Sequence, residues 1–179
     1  MFSVGIILGA VYVNSESVII EKLSVVVDSY TSLKAEQGIG EIFLNSCFSN
    51  LLFVFTNIFF SFSLIGYPVI FFIPLLKGLG IGSVCGYLYA TYKLSGLGYT
   101  LLTILPGTVV SAFALIMASY NGCEYSKNAY LKAISGKGQF EKGETKIFLL
   151  RQLLFIGICV VSSFIDSLLS LAFLRFFEF

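Results

Sequence analysis

The 179-residue chain is too apolar for an ordinary soluble domain, because 57% of its residues are hydrophobic and only 12% are charged, against about half and about a quarter in soluble proteins. Its net charge is +1, and its eleven basic residues are scattered along the chain, so we expect no nucleic-acid partner. It has no histidine and four separate cysteines, which removes the commonest general base and the usual metal ligands. We therefore expect no enzyme and no metal site.

The first apolar block, residues 1–13, is too short to cross a membrane alone. A helix over residues 2–13 extends about 18 Å, whereas the hydrocarbon core is about 30 Å thick. The block lacks the basic start and the small-residue cleavage site of a signal peptide. We interpret it as the end of a truncated first span.

Residues 17–36 have the periodicity of an amphipathic helix lying outside the bilayer. Apolar side chains recur at spacings of four and three, with charged residues between them. These apolar positions are Ile19, Leu23, Val26, Tyr30 and Leu33. Two runs of β-branched residues, 18–20 and 25–27, leave a pair of short strands as the alternative.

Four longer apolar runs predict membrane-spanning helices, so the chain is predicted to be one all-α membrane domain over residues 1–179. The predicted spans are residues 43–66, 67–92, 97–120 and 147–174. The uncharged first run alone forms a helix of about 36 Å. The Gly-Tyr-Pro sequence at 66–68 predicts a tight turn, and Pro106 with Gly107 predicts a kink.

The polar segment 121–146 is predicted to be a long cytoplasmic loop. It holds five lysines, whereas residues 14–42 hold two lysines beside five acids, and cytoplasmic loops carry the excess of basic residues. Counting passes from this loop places the 17–36 helix outside the cell. The prediction is a polytopic bundle of four full spans, a truncated first span and one extracytoplasmic helix.

Small residues recur every four positions in the second full span, at Gly78, Gly82, Gly86 and Ala90. Such a stripe lets another helix approach closely. A helix of the same chain fits it as readily as a second copy of the chain in a homodimer. The glycines superficially resemble a dinucleotide-binding loop, but that loop needs a preceding strand, so we expect no cofactor.

Four polar residues fall inside the predicted spans: Lys77, Asp166, Asn50 and Asn57. Ionisable groups at such depths are costly and are usually paired or functional. One hypothesis is an ion pair between Lys77 and Asp166; the other is that Lys77 reaches the inner surface while Asp166 faces a wet cleft or the outer interface. The two asparagines lie seven residues apart on one face and are expected to form interhelical hydrogen bonds.

The order of several motifs resembles the stage II sporulation protein M family, and the resemblance covers essentially the whole chain. The motifs are residues 5–15 (GIILGAVYVNS), 43–46 (FLNS), 66–70 (GYPVI), 76–78 (LKG), 105–106 (LP) and 162–166 (SSFID). The chain departs from broader relatives at three places. Lys77 stands where Asn is frequent, Gly107 and Val110 stand where His and Glu are frequent, and Asp166 stands where Glu is common.

The resemblance implies a non-enzymatic scaffold of the engulfment machinery of sporulating bacteria. Such a protein is expected to be a multi-pass protein of the bacterial cell membrane, at the sporulation septum or in the mother-cell engulfing membrane. Its expected partners are membrane lipids and the peptidoglycan-degrading stage II sporulation proteins D and P. We expect the exterior helix 17–36, through its apolar face, and the outer loop ends to dock these two proteins. A transporter or channel subunit that uses Lys77 and Asp166 is the alternative.

Overall fold

The computed structural model describes residues 1–15, 39–63, 66–134 and 142–174, which are almost entirely helical and contain no strand. The helices, in chain order, are α1 (Phe2–Ser15), α2 (Ile39–Ser61), α3 (Gly66–Tyr99), α4 (Leu105–Ile134) and α5 (Lys142–Leu174). A π-helical turn, Thr100–Ile104, joins α3 to α4. The predicted helix 17–36 lies outside the described residues.

Four of these helices are long and apolar enough to cross a membrane, which confirms the all-α polytopic fold class. The apolar stretches are Gly40–Ser61, Gly66–Gly96, Thr100–Lys132 and Gly143–Ser170, and Phe2–Val13 is a shorter apolar helix. Large side chains such as Phe59 and Leu153 are 74% and 70% exposed on the outside of the bundle, while Ser126 and Ser163 are fully buried. This distribution suits hydrocarbon as the surrounding solvent, because lipid tails are as apolar as leucine.

The turn between α2 and α3 is tight and is held by α4. The N–H of Ser63 donates to the carbonyl of Phe60, and the N–H of Gly66 donates to the carbonyl of Ser63. A Cβ at Gly66 would overlap the Phe60 carbonyl oxygen, so only glycine fits there. Ser126 Oγ of α4 also donates to the Ser63 carbonyl at 2.8 Å, so this oxygen accepts two hydrogen bonds and links the turn to α4.

The chain reverses direction at Lys93, between the predicted spans 67–92 and 97–120. Lys93 has φ 49° and ψ −120°, a conformation that glycine adopts far more readily than other residues. A Cβ at Gly96 would overlap the carbonyl oxygen of Leu88. In a straight helix, residues eight positions apart would be separated by about 12 Å. The contact therefore requires that the chain fold back on itself here.

The predicted irregularity at Pro106 takes the form of a π-helical turn immediately before it. The N–H of Leu105 bonds to the carbonyl of Thr100, five residues earlier. Proline has no N–H to donate, and its ring crowds the carbonyl four residues before it. A wider turn at Thr100–Ile104 relieves this crowding and lets α4 continue without a break.

Most of the segment predicted to be a loop, 121–146, is helical. Helix α4 continues to Ile134 and α5 begins at Lys142, which leaves residues 135–141 between them. This part of α4 packs along α5: Tyr125 stacks on Phe148 with a centroid distance of 4.4 Å. Lys132 and Glu144 form an ion pair across the same junction. Polar side chains that pair between two helices thus resemble a loop in a linear sequence.

A seam of glycines holds α1 against α3. A Cβ at Gly78 or Gly82 would overlap the carbonyl oxygens of Phe2 or Ile6, and Gly86 lies against Ala10. The contact positions rise together in both helices, so α1 runs parallel to α3. Gly5 and Gly9 of α1 meet the backbone of α3 in the same way. The small-residue stripe is therefore occupied by a helix of the same chain.

Ala90 does not take part in this seam and is exposed. A spacing of four residues exceeds the 3.6 residues of one helical turn, so each step rotates the stripe by about 40°. Three steps separate Gly78 from Ala90, and they carry the alanine about 120° around α3 and away from α1.

The seam predicts that replacing Gly82 destabilises the protein much more than replacing Gly80. Gly82→Leu forces a side chain into the backbone of α1, and overpacking of this kind typically costs about 1–3 kcal/mol, or roughly 2–12 °C in melting temperature for a chain of this length. Gly80→Leu is the matched control, because a Cβ there meets nothing within 4 Å. Thermal unfolding of the detergent-solubilised protein measures both, and equal losses at the two positions would contradict the seam.

Candidate functional site

Lys77 of α3 points into the interior of the bundle. Its side chain is 7% exposed, and its Nζ donates to Asn50 Oδ1 of α2 at 2.8 Å. The same nitrogen lies 5.9 Å from the centroid of the Phe53 ring, within the range of a cation–π interaction. A full positive charge is thus held between one amide oxygen and one aromatic ring.

Asn50 connects this lysine to α5. Its Nδ2 donates to Ser163 Oγ at 3.0 Å, and Ser163 Oγ donates in turn to the carbonyl of Cys159 at 3.0 Å. The amide uses its oxygen toward Lys77 and its nitrogen toward Ser163, so both ends of the group are satisfied. One side chain therefore links three helices.

Asp166 lies one turn beyond Ser163 on α5 and forms a second contact with α2. Its Oδ2 accepts a hydrogen bond from Ser46 Oγ at 3.3 Å, and Ser46 precedes Asn50 by one helical turn. The two hydrogen bonds are therefore successive contacts between α2 and α5, which run antiparallel. One joins Asn50 to Ser163, and the next joins Ser46 to Asp166. Asp166 also interacts electrostatically with Lys77, while the hydrogen bond of the ammonium goes to Asn50.

The carboxyl group of Asp166 lies directly beside Gly107 of α4. A Cβ at Gly107 would stand 2.5 Å from Oδ1 and 2.8 Å from the carboxyl carbon of Asp166. Ser162 Oγ of α5 donates to the Gly107 carbonyl of α4 at 2.6 Å. This bond holds α4 and α5 together beside the carboxyl group. A larger residue at 107 would push the carboxyl group away.

Asn57 forms a separate polar contact nearer the α2–α3 turn. It is fully buried, and its Nδ2 donates to Ser119 Oγ of α4 at 2.6 Å. Ser61 Oγ donates to the Asn57 carbonyl at 2.7 Å, and Gly122 of α4 leaves room for both side chains. Asn50 and Asn57 share a face of α2, yet they bind different helices.

The structure thus brings together three of the four predicted intramembrane polar residues, Lys77, Asn50 and Asp166, and leaves Asn57 apart. It adds members that sequence reasoning missed: Ser46, Ser162, Ser163 and Gly107. The run of serines in α5 was visible in the sequence, but serine is too common in membrane helices to single out. The predicted docking residues, Ile19, Leu23, Val26, Tyr30 and Leu33, lie outside the described residues.

Two chemical roles fit such a cluster. Hydrogen bonds between buried polar groups set the rotation and depth of each helix relative to its neighbours. Charged groups inside the membrane also provide a favourable position for an ion or a proton. The geometry of four apolar helices around a buried polar cluster defines a multi-pass membrane protein.

The family follows from comparison with known proteins. The model of a family described as Stage II sporulation protein M matches residues 1–171, and the chain belongs to this family. The match runs from α1 through nearly all of α5 and confirms the resemblance seen in the motifs. No curated protein and no solved structure matches the chain. The protein is therefore a sporulation-related multi-pass membrane protein.

The Lys77–Asn50 contact predicts strongly non-additive stability effects. Asn50→Leu leaves the buried ammonium without its acceptor, and Lys77→Met leaves the amide oxygen unsatisfied, each at about 1–3 kcal/mol. The double variant removes both groups, so its loss should be smaller than the sum by about 1–3 kcal/mol. Unfolding of the solubilised protein in denaturing detergent measures all three.

Thr56→Val on α2 is the control for this cycle, because the Thr56 hydroxyl bonds only within its own helix, to the carbonyl of Leu52 at 2.8 Å. Losses at Asn50 and Lys77 that add to within about 0.5 kcal/mol would show that the two side chains act independently.

Proposed function

We propose that this protein is a non-enzymatic membrane scaffold of the engulfment machinery in sporulating bacteria. It recruits peptidoglycan-degrading partners, stage II sporulation proteins D and P, and holds them at the septal or engulfing membrane. The observation that carries the proposal is the family match over residues 1–171. The partners follow from the family resemblance.

The way in which the segment 16–38 is attached supports a scaffold. This segment contains the predicted extracytoplasmic helix 17–36, and it lies between α1 and α2. On one side α1 is packed along the glycine seam of α3. A partner pulling on the exterior helix would therefore act on a helix whose backbone is in close contact with the bundle.

On the other side α2 is hydrogen-bonded to each of the three other long helices of the described bundle. It accepts a hydrogen bond from α3 through Lys77, it bonds α5 at Ser163 and Asp166, and it bonds α4 at Ser119. Interhelical hydrogen bonds in membranes are each worth about 0.6–2 kcal/mol. Several of them together make α2 a firm base for an exterior docking element.

The test is co-purification of the tagged full-length protein from sporulating cells. Leu23→Asn, Val26→Asn and Tyr30→Asn, combined in one variant, place polar groups on the apolar face of the predicted exterior helix. Burial of such a side chain contributes about 1.5–3 kcal/mol, so recovery of the D and P proteins should fall by at least about tenfold. Immunoblotting of the eluate measures the recovery.

The control variant combines Glu21→Gln, Asp28→Asn and Ser32→Asn, which lie on the opposite face of the same predicted helix. Both variants must reach the membrane fraction at the level of the unchanged protein. Unchanged recovery in the first variant, or an equal loss in the control, would contradict docking through this face.

A transporter or channel subunit is the second candidate, and the buried Lys77 with Asp166 is the observation that favours it. A polar site near the middle of the bundle is where transporters bind their substrates. For a scaffold, liposomes containing the purified protein should pass protons and monovalent cations no faster than protein-free liposomes. Flux that disappears in Lys77→Met and persists in the exposed control Lys146→Gln would establish the transporter instead.

A further inference from the structure

A groove lies between α3 and α4, on the side of α3 that also packs against α1. Its volume is about 610 Å³, within the roughly 300–1,000 Å³ of small-molecule sites. Phe71 and Pro74 of α3 and Ile116 of α4 form apolar walls, and Phe2 of α1 lies at the deep end. Phe71 and the seam residue Gly78 are seven residues apart, so they share one side of α3. These walls suit a hydrocarbon chain better than water.

The other end of the groove lies at the level of the lipid headgroups. Cys123 Sγ of α4 donates to the carbonyl of Tyr67 at 3.8 Å, so the start of α3 is level with this part of α4. Tyr67 and Tyr120 line the groove here and are exposed, and tyrosines are frequent where hydrocarbon meets the headgroups. From Ile116 to Lys127 α4 rises about 17 Å, close to the ~15 Å of one leaflet. The groove therefore extends from the headgroups to about the bilayer midplane.

Lys127 lies at the headgroup end of this groove and on its centre line. The eleven residues from Ile116 to Lys127 make close to three full helical turns, so the two residues lie on the same side of α4. Cys123 lies between them on that side, and all three line the groove. Lys127 is exposed and forms no hydrogen bond or ion pair with the described residues. Its ammonium group is therefore available to a phosphate, for which lysine is a common ligand.

Glu124 adds the opposite charge beside this lysine. It lies three residues before Lys127, on the edge of α4 between the groove and a polar cleft that α4 forms with α5. Residues three apart on a helix are neighbours, yet no ion pair joins these two side chains in the described part of the chain. Asn128 lies on the same edge and can both donate and accept hydrogen bonds. The end of the groove thus presents one cation, one anion and one amide.

A zwitterionic headgroup with a primary amine complements this arrangement. In phosphatidylethanolamine two carbons join the phosphate oxygen to the ammonium group, so the two charges can meet Lys127 and Glu124 at the same time. Phosphatidylglycerol brings only the negative charge, which the carboxylate of Glu124 repels. The trimethylated ammonium of phosphatidylcholine has no N–H to donate to that carboxylate. Charge and hydrogen bonding together therefore favour the primary amine.

We propose that the groove between α3 and α4 binds one molecule of phosphatidylethanolamine. An acyl chain lies between Phe71 and Ile116, the phosphate contacts Lys127, and the ammonium group contacts Glu124. Pockets between membrane helices bind lipid headgroups in this manner, and the orientation predicted from the lysine distribution places the lipid in the cytoplasmic leaflet. The site shares no residue with helix 17–36, so its test is independent of the proposed scaffold function.

The test is native mass spectrometry of the purified full-length protein in detergent. The protein is incubated with equal amounts of phosphatidylethanolamine, phosphatidylglycerol and phosphatidylcholine that carry the same acyl chains. One phosphatidylethanolamine should remain bound, about threefold more often than either of the other lipids, because an exposed ion pair contributes a modest preference. Equal retention of the three lipids, a preference for phosphatidylglycerol, or a protein dimer without lipid would overturn the proposal.

Two charge variants test the headgroup contacts. Glu124→Gln should remove the preference for phosphatidylethanolamine, whereas Glu41→Gln, which changes an exposed acid of α2 outside the groove, should keep it. Lys127→Gln should lower the retention of all three lipids by about threefold. Lys146→Gln removes the same charge from an exposed position on α5 that does not line the groove, and it should leave retention unchanged. A preference that is unaltered by Glu124→Gln would overturn the proposal.

A bulky side chain tests the apolar walls. Ile116→Trp fills the groove and should lower the retention of all three lipids. Leu153→Trp is the matched control, because Leu153 is exposed on α5 and does not line the groove. It lies at a similar depth, since its neighbour Gln152 donates to the carbonyl of Ala118 at 3.1 Å. Retention that is the same in Ile116→Trp as in the unchanged protein would contradict an acyl chain in this groove.

Discussion

Hydrocarbon offers no hydrogen bonds, so each polar group that this chain carries into the membrane must find its partner within the protein. The side chains of α2 illustrate the consequence. Asn50 bonds α3 and α5, Asn57 bonds α4, and Ser46 bonds Asp166 of α5. These contacts place α2 against the three other long helices and set its rotation, because an asparagine turned toward lipid would lose its bonds.

Close approach of backbones is the second element of the architecture, since lipid tails compete with apolar side chains and weaken any hydrophobic drive for helix association. Glycine removes the side chain where two backbones or a backbone and a polar group must meet. The seam at Gly78 and Gly82 brings α1 onto α3, and Gly107 makes room for the carboxyl group of Asp166. The same residue type thus serves packing in one place and a buried charge in another.

The two candidate functions use different parts of this arrangement. A scaffold needs an exterior docking element on a firm base, and α1 and α2 provide that base on either side of the segment 16–38. A transporter needs the buried charge of Lys77 to be exchangeable with an ion or a proton. The contacts of Lys77 with Asn50 and Phe53 hold the charge in place, which supports the structural role.

The sequence by itself determined that hydrocarbon surrounds this protein, that it has four long helices, and that the chain breaks near 66 and near 93, because hydropathy and breaker residues act locally. The turn predicted at 66–68 lies a few residues earlier, since α2 ends at Ser61 and Gly66 already begins α3. The sequence also indicated the small-residue stripe and the polar residues inside the spans. Only the tertiary structure decided that the stripe takes α1, that Lys77 bonds Asn50, and that Asp166 lies against Gly107. Those outcomes depend on the relative rotation and depth of helices distant in sequence, which no local pattern encodes. For the same reason residues 121–134 were predicted to be a loop, because the residues of α5 that pair with their polar side chains are distant in sequence.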